Sequence, residues 1–145
     1  MAFKSIAIAA DHAGFDLKAK LAEELKSTGY EVIDLGTRDG TTSVDYPDFG
    51  KAVAEAVTSG KADAGVVVCG TGIGISIAVN RHAGARAALC HDVTSARLSR
   101  EHNDANVLAL GARMTGEQVA KDCLKAFLTT EFAGDRHLRR VQKLG

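Results

Sequence analysis

Short apolar runs alternate with longer segments in which apolar residues recur every three or four positions. The short runs predict strands, which lie at residues 5–10, 31–35, 64–69, 86–90 and 106–110. Strands that alternate with helices along a whole chain are typical of a parallel sheet covered by helices. The pattern therefore predicts an α/β fold.

The helical segments carry their apolar residues at a spacing of four, which places each set on one face of a helix. The clearest sets are Leu17, Leu21 and Leu25, then Phe49, Val53 and Val57, and finally Val119, Cys123 and Phe127. Pro47 suits the first turn of the second helix. Thr115 and Gln118 predict a capping box for the helix that buries Cys123.

Length and charge limit what this chain can be. At 145 residues, with no linker or repeat, the sequence predicts a single domain over residues 1–145. Lysine plus arginine equal aspartate plus glutamate at 18 each, so no overall field attracts nucleic acid or an anionic membrane. The first residues do not read as a secretory signal. The 3 cysteines form no CxxC pair, and we expect free thiols in the cytoplasm.

Polar residues follow three of the predicted strands at the point where each strand ends. Asp11 and His12 follow the first, Cys69 ends the third, and His91 with Asp92 follows the fourth. In an open parallel sheet, ligands bind at the carboxyl ends of the strands. These residues are therefore the first candidates for a site.

The loop after the third strand reads CGTGIGIS and includes Gly70, Thr71, Gly72, Ile73 and Gly74. Its glycines let main-chain N–H groups approach an anion at a helix N-terminus. A plain tight turn is the simpler interpretation. A dinucleotide fingerprint requires GxGxxG after the first strand, and this loop has neither that spacing nor that place.

Cys69 lies between a strand end and a helix N-terminus, where the local field favours a thiolate that could act as a base. The alternative is a small buried residue that only ends the strand. Cys90 is placed similarly but has no glycine loop after it, which favours a structural role. His102 and Asn103 end the fourth helix, at the opposite edge of the sheet. Either they are surface residues or they serve the site of a neighbouring subunit.

The segment from residue 131 to 145 carries several cations against few acids. Arg136 and Arg140 lie at i and i+4, so a helical tail would place both on one face, suited to gripping a phosphate. Solvated surface charge is the simpler explanation for such a cluster.

Taken together, five segments resemble the type B ribose-5-phosphate isomerases and the related galactose-6-phosphate isomerase subunits. They are ADHAG, DYPD, CGTGIGISIAVN, SREHNDANVLALGARM and GDRHLRR, and they extend over nearly the whole chain. The resemblance implies a Rossmann-like three-layer domain with a five-stranded parallel sheet and a C-terminal tail helix. It also implies homodimers with shared active sites, which could pair further into tetramers, and no cofactor or metal.

By resemblance, Cys69 is the base that moves a proton between C1 and C2 of ribose 5-phosphate, through an enediolate. His102 of the neighbouring subunit is the acid that opens the sugar ring. The positions that match substrate-binding residues are Asp11, His12, Tyr46, Gly70, Thr71, Gly72, Ile73, Gly74, Asn103, Arg113, Arg136 and Arg140. Part of the family uses a glutamate base after the glycine loop, but ISIAV contains no acid here.

Three other functions remain open at this point. The same chemistry could act on a hexose 6-phosphate, either allose or galactose. A non-catalytic protein could bind a sugar phosphate with the same fold. A metal-dependent enzyme could use Asp11, His12, His91 and Asp92, although adjacent Asp-His pairs can seldom both face one ion.

Overall fold

The computed structural model describes residues 3–145, which contain one sheet of five parallel strands. Its strand order is β2-β1-β3-β5-β4. The strands are β1 Ser5–Ala10, β2 Glu31–Asp34, β3 Ala64–Cys69, β4 Ala87–Leu89 and β5 Val107–Gly111. Each predicted strand is present, with its ends within one residue of the predicted ones. The predicted parallel sheet is confirmed.

Helices cover both faces of the sheet. They are α1 Phe15–Ser27, α2 Tyr46–Thr58, α3 Ile73–Asn80, α4 Val93–Asn103, α5 Glu117–Thr129 and α6 Arg136–Gln142, with a 3-10 turn at His12–Gly14. One core lies under α1, α4 and α5, and the other lies under α2 and α3. The three-layer α/β fold with a C-terminal helix is therefore confirmed. None of the helices within residues 3–145 is long and apolar enough to cross a membrane.

The central strands β1 and β3 divide their side chains between the two cores. Because successive side chains on a strand point to opposite faces, Ile6 and Ile8 enter the first core while Ala7 and Ala9 enter the second. Both strands are buried on both faces, which is why they read as continuous apolar runs. The same alternation places Cys69 on the α2 and α3 side.

Two expectations about α5 are wrong. The helix begins at Glu117 after Gly116, with no side-chain cap, and the Thr115 hydroxyl instead donates to the carbonyl of Gly111 at 3.2 Å. The side-chain amide of Gln118 donates a hydrogen bond to the Asp122 carboxylate within the helix, at 2.9 Å. The buried face is centred on Ala120, Cys123, Leu124 and Phe127, so Val119 lies at its margin and is 41% exposed.

This difference predicts opposite outcomes for two substitutions on α5. Phe127 is fully buried, so Phe127→Ala should lower the free energy of unfolding by about 3–5 kcal/mol through lost contacts and a cavity. Val119→Ala on the exposed side should change it by no more than about 0.5 kcal/mol. Urea unfolding of both variants measures this, and a large loss for Val119→Ala would contradict the assigned face.

Candidate active site

A cavity of about 520 Å³ opens at the carboxyl ends of β1 and β3. The chain moves from β1 to β2 on one side and to β3 on the other, so this is the point where the strand order reverses. The lining residues come from four segments of the chain and are Asp11, His12, Ala13, Tyr46, Cys69, Gly70, Thr71, Ile73, Gly74, Ile77 and Arg113. The structure thus brings together most of the residues singled out in the sequence.

The glycine loop is held against the end of β5. The N–H of Ala112 donates to the carbonyl of Cys69 and that of Arg113 to the carbonyl of Gly70, both at 2.9 Å. Gly72 has φ +78°, and a Cβ there would lie 2.5 Å from a methyl of Leu89. Only glycine meets both the backbone conformation and the close approach. The predicted Gly72 therefore shapes the loop, although it does not line the cavity.

Cys69 is the last residue of β3 and lines the cavity, although it is only 4% exposed. The N–H of Gly72 donates to its sulfur at 3.2 Å, and α3 begins at Ile73. The sulfur thus lies beside the main-chain N–H groups at the start of a helix, as the sequence predicts. Such donors stabilise negative charge, whether it sits on sulfur or on a bound oxygen.

Asp11 and His12 have defined hydrogen-bond partners. The Asp11 carboxylate is buried and accepts from the N–H of Gly14 at 3.1 Å, which caps the 3-10 turn. The Nδ1 of His12 accepts from the N–H of Val44 at 3.1 Å. A neutral imidazole whose Nδ1 is an acceptor carries its proton on Nε2. His12 can therefore offer a cavity ligand a donor.

Tyr46 and Arg113 lie against two glycines of the loop. A Cβ on Gly74 would lie 2.6 Å from the ring of Tyr46, so the missing side chain makes room for the tyrosine. A Cβ on Gly70 would lie 3.3 Å from Nη1 of Arg113. Arg113 is exposed and is the one arginine among the lining residues. Its guanidinium beside main-chain donors suits an anionic group.

The other predicted site residues form a separate group and do not line this cavity. His102 lies near the end of α4 and stacks on His137 of α6, with ring centroids 4.4 Å apart and an interplanar angle of 16°. Arg136 and Arg140 are exposed on α6, and Asn103 is exposed at the end of α4. Within one chain, therefore, the predicted residues fall into two groups.

Burial lowers the pKa of His137, and the charges of Arg136, His102 and Arg140 act in the same direction. This buried ring was not singled out as a site residue in the sequence. Ala13 and Ile77 were also missed as cavity residues. The sequence could have indicated Ile77, since it follows Ile73 by four positions and so lies on the same face of α3. In the structure both side chains are 52% exposed.

Residues proposed as metal ligands have other partners. Asp92 caps α4 by accepting from the N–H of Ser95 at 2.6 Å, and Asp11 caps the turn after β1. Within residues 3–145, no three histidine, cysteine, aspartate or glutamate side chains are grouped so that they could hold a metal ion.

Comparison with known proteins identifies the family. The profile of the family described as ribose/galactose isomerase matches residues 6–144. The chain belongs to this family. It is 47% identical over 141 residues to ribose-5-phosphate isomerase B of Escherichia coli, covering 97% of this chain and 94% of that protein. The family assignment makes the chain a sugar-phosphate isomerase.

Two further family members show the range of its relatives. The solved structure of Clostridium thermocellum ribose-5-phosphate isomerase B has a TM-score of 0.96 and 56% identity, covering 97% of this chain and 95% of that one. The galactose-6-phosphate isomerase subunit LacB of Clostridium acetobutylicum is 45% identical over 138 residues, covering 95% of this chain and 79% of that protein. The fold is therefore that of the ribose-5-phosphate isomerase B structures.

The three cysteines should differ in their reactivity. Burial raises the pKa of Cys90, and it raises that of Cys123 to about 11. Only the thiolate is nucleophilic, and at pH 8 the Cys123 thiol is ionised to about one part in a thousand. Iodoacetamide should therefore label Cys69, which opens on the cavity, before the other two.

Mass spectrometry of the native protein after short labelling times measures this order, and urea-unfolded protein should label at all three positions. Labelling of native Cys90 or Cys123 as fast as Cys69 would contradict the assigned cavity.

Proposed function

We propose that the chain interconverts ribose 5-phosphate and ribulose 5-phosphate, with Cys69 as the base. The observation that carries this proposal is the Cys69 sulfur, held by a main-chain N–H at the start of α3 in a cavity that also contains Arg113. The family and its ribose-5-phosphate isomerase members support the substrate.

The reaction moves one proton between neighbouring carbons. The Cys69 thiolate takes the proton from C2 of the open-chain aldose, and the electron pair of that bond forms the C1–C2 double bond of an enediolate. Its negative oxygen requires fixed donors, which we assign to N–H groups of the Gly70–Gly74 loop. The C2 hydroxyl proton then passes to O1, which had taken the C1 carbonyl electron pair, as the C2 carbonyl forms, and Cys69 returns its proton to C1 to give the ketose.

A base alone cannot open the furanose ring, and we assign that step to His102 of a second copy of the chain. Three observations support a shared site. His102 and Cys69 belong to separate groups in one chain, the cavity is open, and its rim is apolar. Tyr46, Ile73 and Ile77 on this rim are between 41% and 52% exposed. A second copy could cover these residues and bring its own His102 to the cavity.

The phosphate should contact cations at the margin of the site. Arg113 lines the cavity. Arg136 and Arg140 lie on α6, in the second group of predicted residues, which also contains His102. Asn103 lies beside His102 at the end of α4 and could bind a sugar hydroxyl. These roles follow from the matched family positions and from the exposure of the side chains.

A hexose 6-phosphate is the second candidate substrate, because the LacB relative is a galactose-6-phosphate isomerase subunit. A hexose phosphate is longer by one carbon, so it requires a deeper pocket, but its reacting carbons are the same. The protein, treated with a chelator, should be incubated with ribose 5-phosphate, allose 6-phosphate and galactose 6-phosphate, and ketose formation followed. We expect the highest kcat/KM for ribose 5-phosphate, and a higher value for either hexose would overturn the pentose assignment.

Cys69→Ala should lower kcat for ribose 5-phosphate by about a hundredfold or more, as expected for loss of a general base. Cys90→Ala is the matched control, since Cys90 also follows a strand but is buried away from the cavity. It should retain wild-type kcat. Circular dichroism and thermal unfolding check the folding of both variants. Near-normal turnover by folded Cys69→Ala would remove this residue from the mechanism.

The shared site predicts rescue between two inactive variants. In a two-fold dimer made of one Cys69→Ala and one His102→Ala chain, one site carries both changes and the other carries neither. Half of the dimers in an equal mixture are of this kind, so activity should recover to about a quarter of the wild-type value. No recovery after subunit exchange, verified by native mass spectrometry, would contradict a shared site.

A further inference from the structure

A buried lysine lies outside the cavity, below the loop that connects β2 with α2. Lys18 on α1 is only 3% exposed. Its Nζ donates to both carboxylate oxygens of Asp34, at 2.8 and 2.9 Å, and to the carbonyl of Thr37 at 3.0 Å. An ammonium group has three N–H donors, and all three are used here. Lys18 thus fixes the first residues of the loop.

The fixed residues adjoin the segment that carries His12. The N–H of Ala10 donates to the carbonyl of Gly36, and the N–H of Thr37 donates to the carbonyl of Ala10, both at 2.8 Å. His12 follows Ala10 by two residues. The start of the loop and the end of β1 are therefore joined by main-chain bonds at the point where Lys18 acts.

Two later residues of the loop, Gly40 and Val44, contact His12. A Cβ built on Gly40 would lie 3.6 Å from the carbonyl oxygen of His12 and 3.6 Å from the Phe15 ring. The Lys18 ammonium lies 5.2 Å from the centre of the same ring. The N–H of Val44 then donates to Nδ1 of His12 at 3.1 Å. Contacts thus continue from Lys18, along the loop, to the imidazole.

Stability alone does not account for this lysine. Taking an ammonium group out of water costs free energy, and its partner Asp34 is 47% exposed, so solvent weakens the attraction that offsets this cost. A methionine could fill the space of the Lys18 side chain, but it could not hold the Thr37 carbonyl or the Asp34 carboxylate. What the lysine adds is a fixed geometry at the start of the loop.

We propose that Lys18, through its ion pair with Asp34, is a positioning residue for His12: it holds the loop whose Val44 N–H fixes the orientation and tautomer of the His12 imidazole. The proposal rests on the proposed function in one respect, namely that His12 contacts the substrate. Lys18 itself touches no reacting atom.

A double-mutant cycle tests the effect on the reaction. Lys18→Met should lower kcat/KM for ribose 5-phosphate by about tenfold to a hundredfold, as a misplaced site residue does. In a His12→Ala background the same substitution should change kcat/KM by less than about twofold, because it acts through His12. Lys20→Met is the control, since Lys20 lies on the same helix but is 53% exposed and pairs with Glu117. It should retain wild-type kcat/KM.

No loss in Lys18→Met, or an equal loss in the presence and absence of the His12 ring, would overturn the proposal. If Lys18→Met does not fold, Asp34→Asn replaces it in the cycle. Asparagine keeps the size and the oxygen acceptor of Asp34, which is 47% exposed, and Lys18 keeps its bond to the Thr37 carbonyl. The same pattern, with a smaller loss, is expected.

A second readout does not depend on activity. NMR of the protein labelled with ¹⁵N-histidine should show His12 with its proton on Nε2 in the wild type and in Lys20→Met. Lys18→Met or Asp34→Asn should show a mixture of the two tautomers. Retention of the single wild-type tautomer in a folded variant would refute the positioning role. An inactive wild-type protein would instead refute the proposed function, and the tautomer measurement would still decide the role of Lys18.

Discussion

The Gly70–Gly74 loop packs against the end of β5 at a distance that only glycine allows, and the position of Cys69 depends on this contact. A side chain at Gly72 would collide with Leu89, and one at Gly111 would lie 2.5 Å from the carbonyl of Thr71. Because both positions lack a Cβ, the chain can turn sharply from β3 into α3. The turn brings the Gly72 N–H to the Cys69 sulfur and lets Arg113 and Tyr46 lie against the loop.

The remainder of the cavity is positioned from the neighbouring strand β1. The end of β1 is followed by Asp11 and His12. The loop after β2 is bound to Lys18 near its start and to the His12 ring near its end. The second group, at the end of α4 and on α6, carries the predicted acid and two arginines. The proposed base Cys69 lies in one group and the proposed acid His102 lies in the other. Our proposed reaction therefore requires two copies of the chain.

Local sequence patterns predicted the strands because β1 and β3 are buried on both faces and read as apolar runs. The clustering of Asp11, His12 and Cys69 also followed from the sequence, since parallel strands end at the same edge. The start of α5 did not, because Thr115 bonds to the carbonyl of Gly111 instead of capping the helix. Contacts between distant segments leave no periodic signal. The stack of His102 on His137 and the bond from Val44 to His12 therefore appear only in the structure.

The central claim is that the Cys69 sulfur faces the reacting carbons of a sugar phosphate. A crystal structure of the protein with a stable analogue of the enediolate measures this most directly. Our account predicts the sulfur in contact with C1 and C2 at about 3–3.5 Å, and the analogue's oxygens on N–H groups of the glycine loop. A bound analogue whose carbons lie beyond the reach of Cys69, with that side chain closed off in the core, would contradict it.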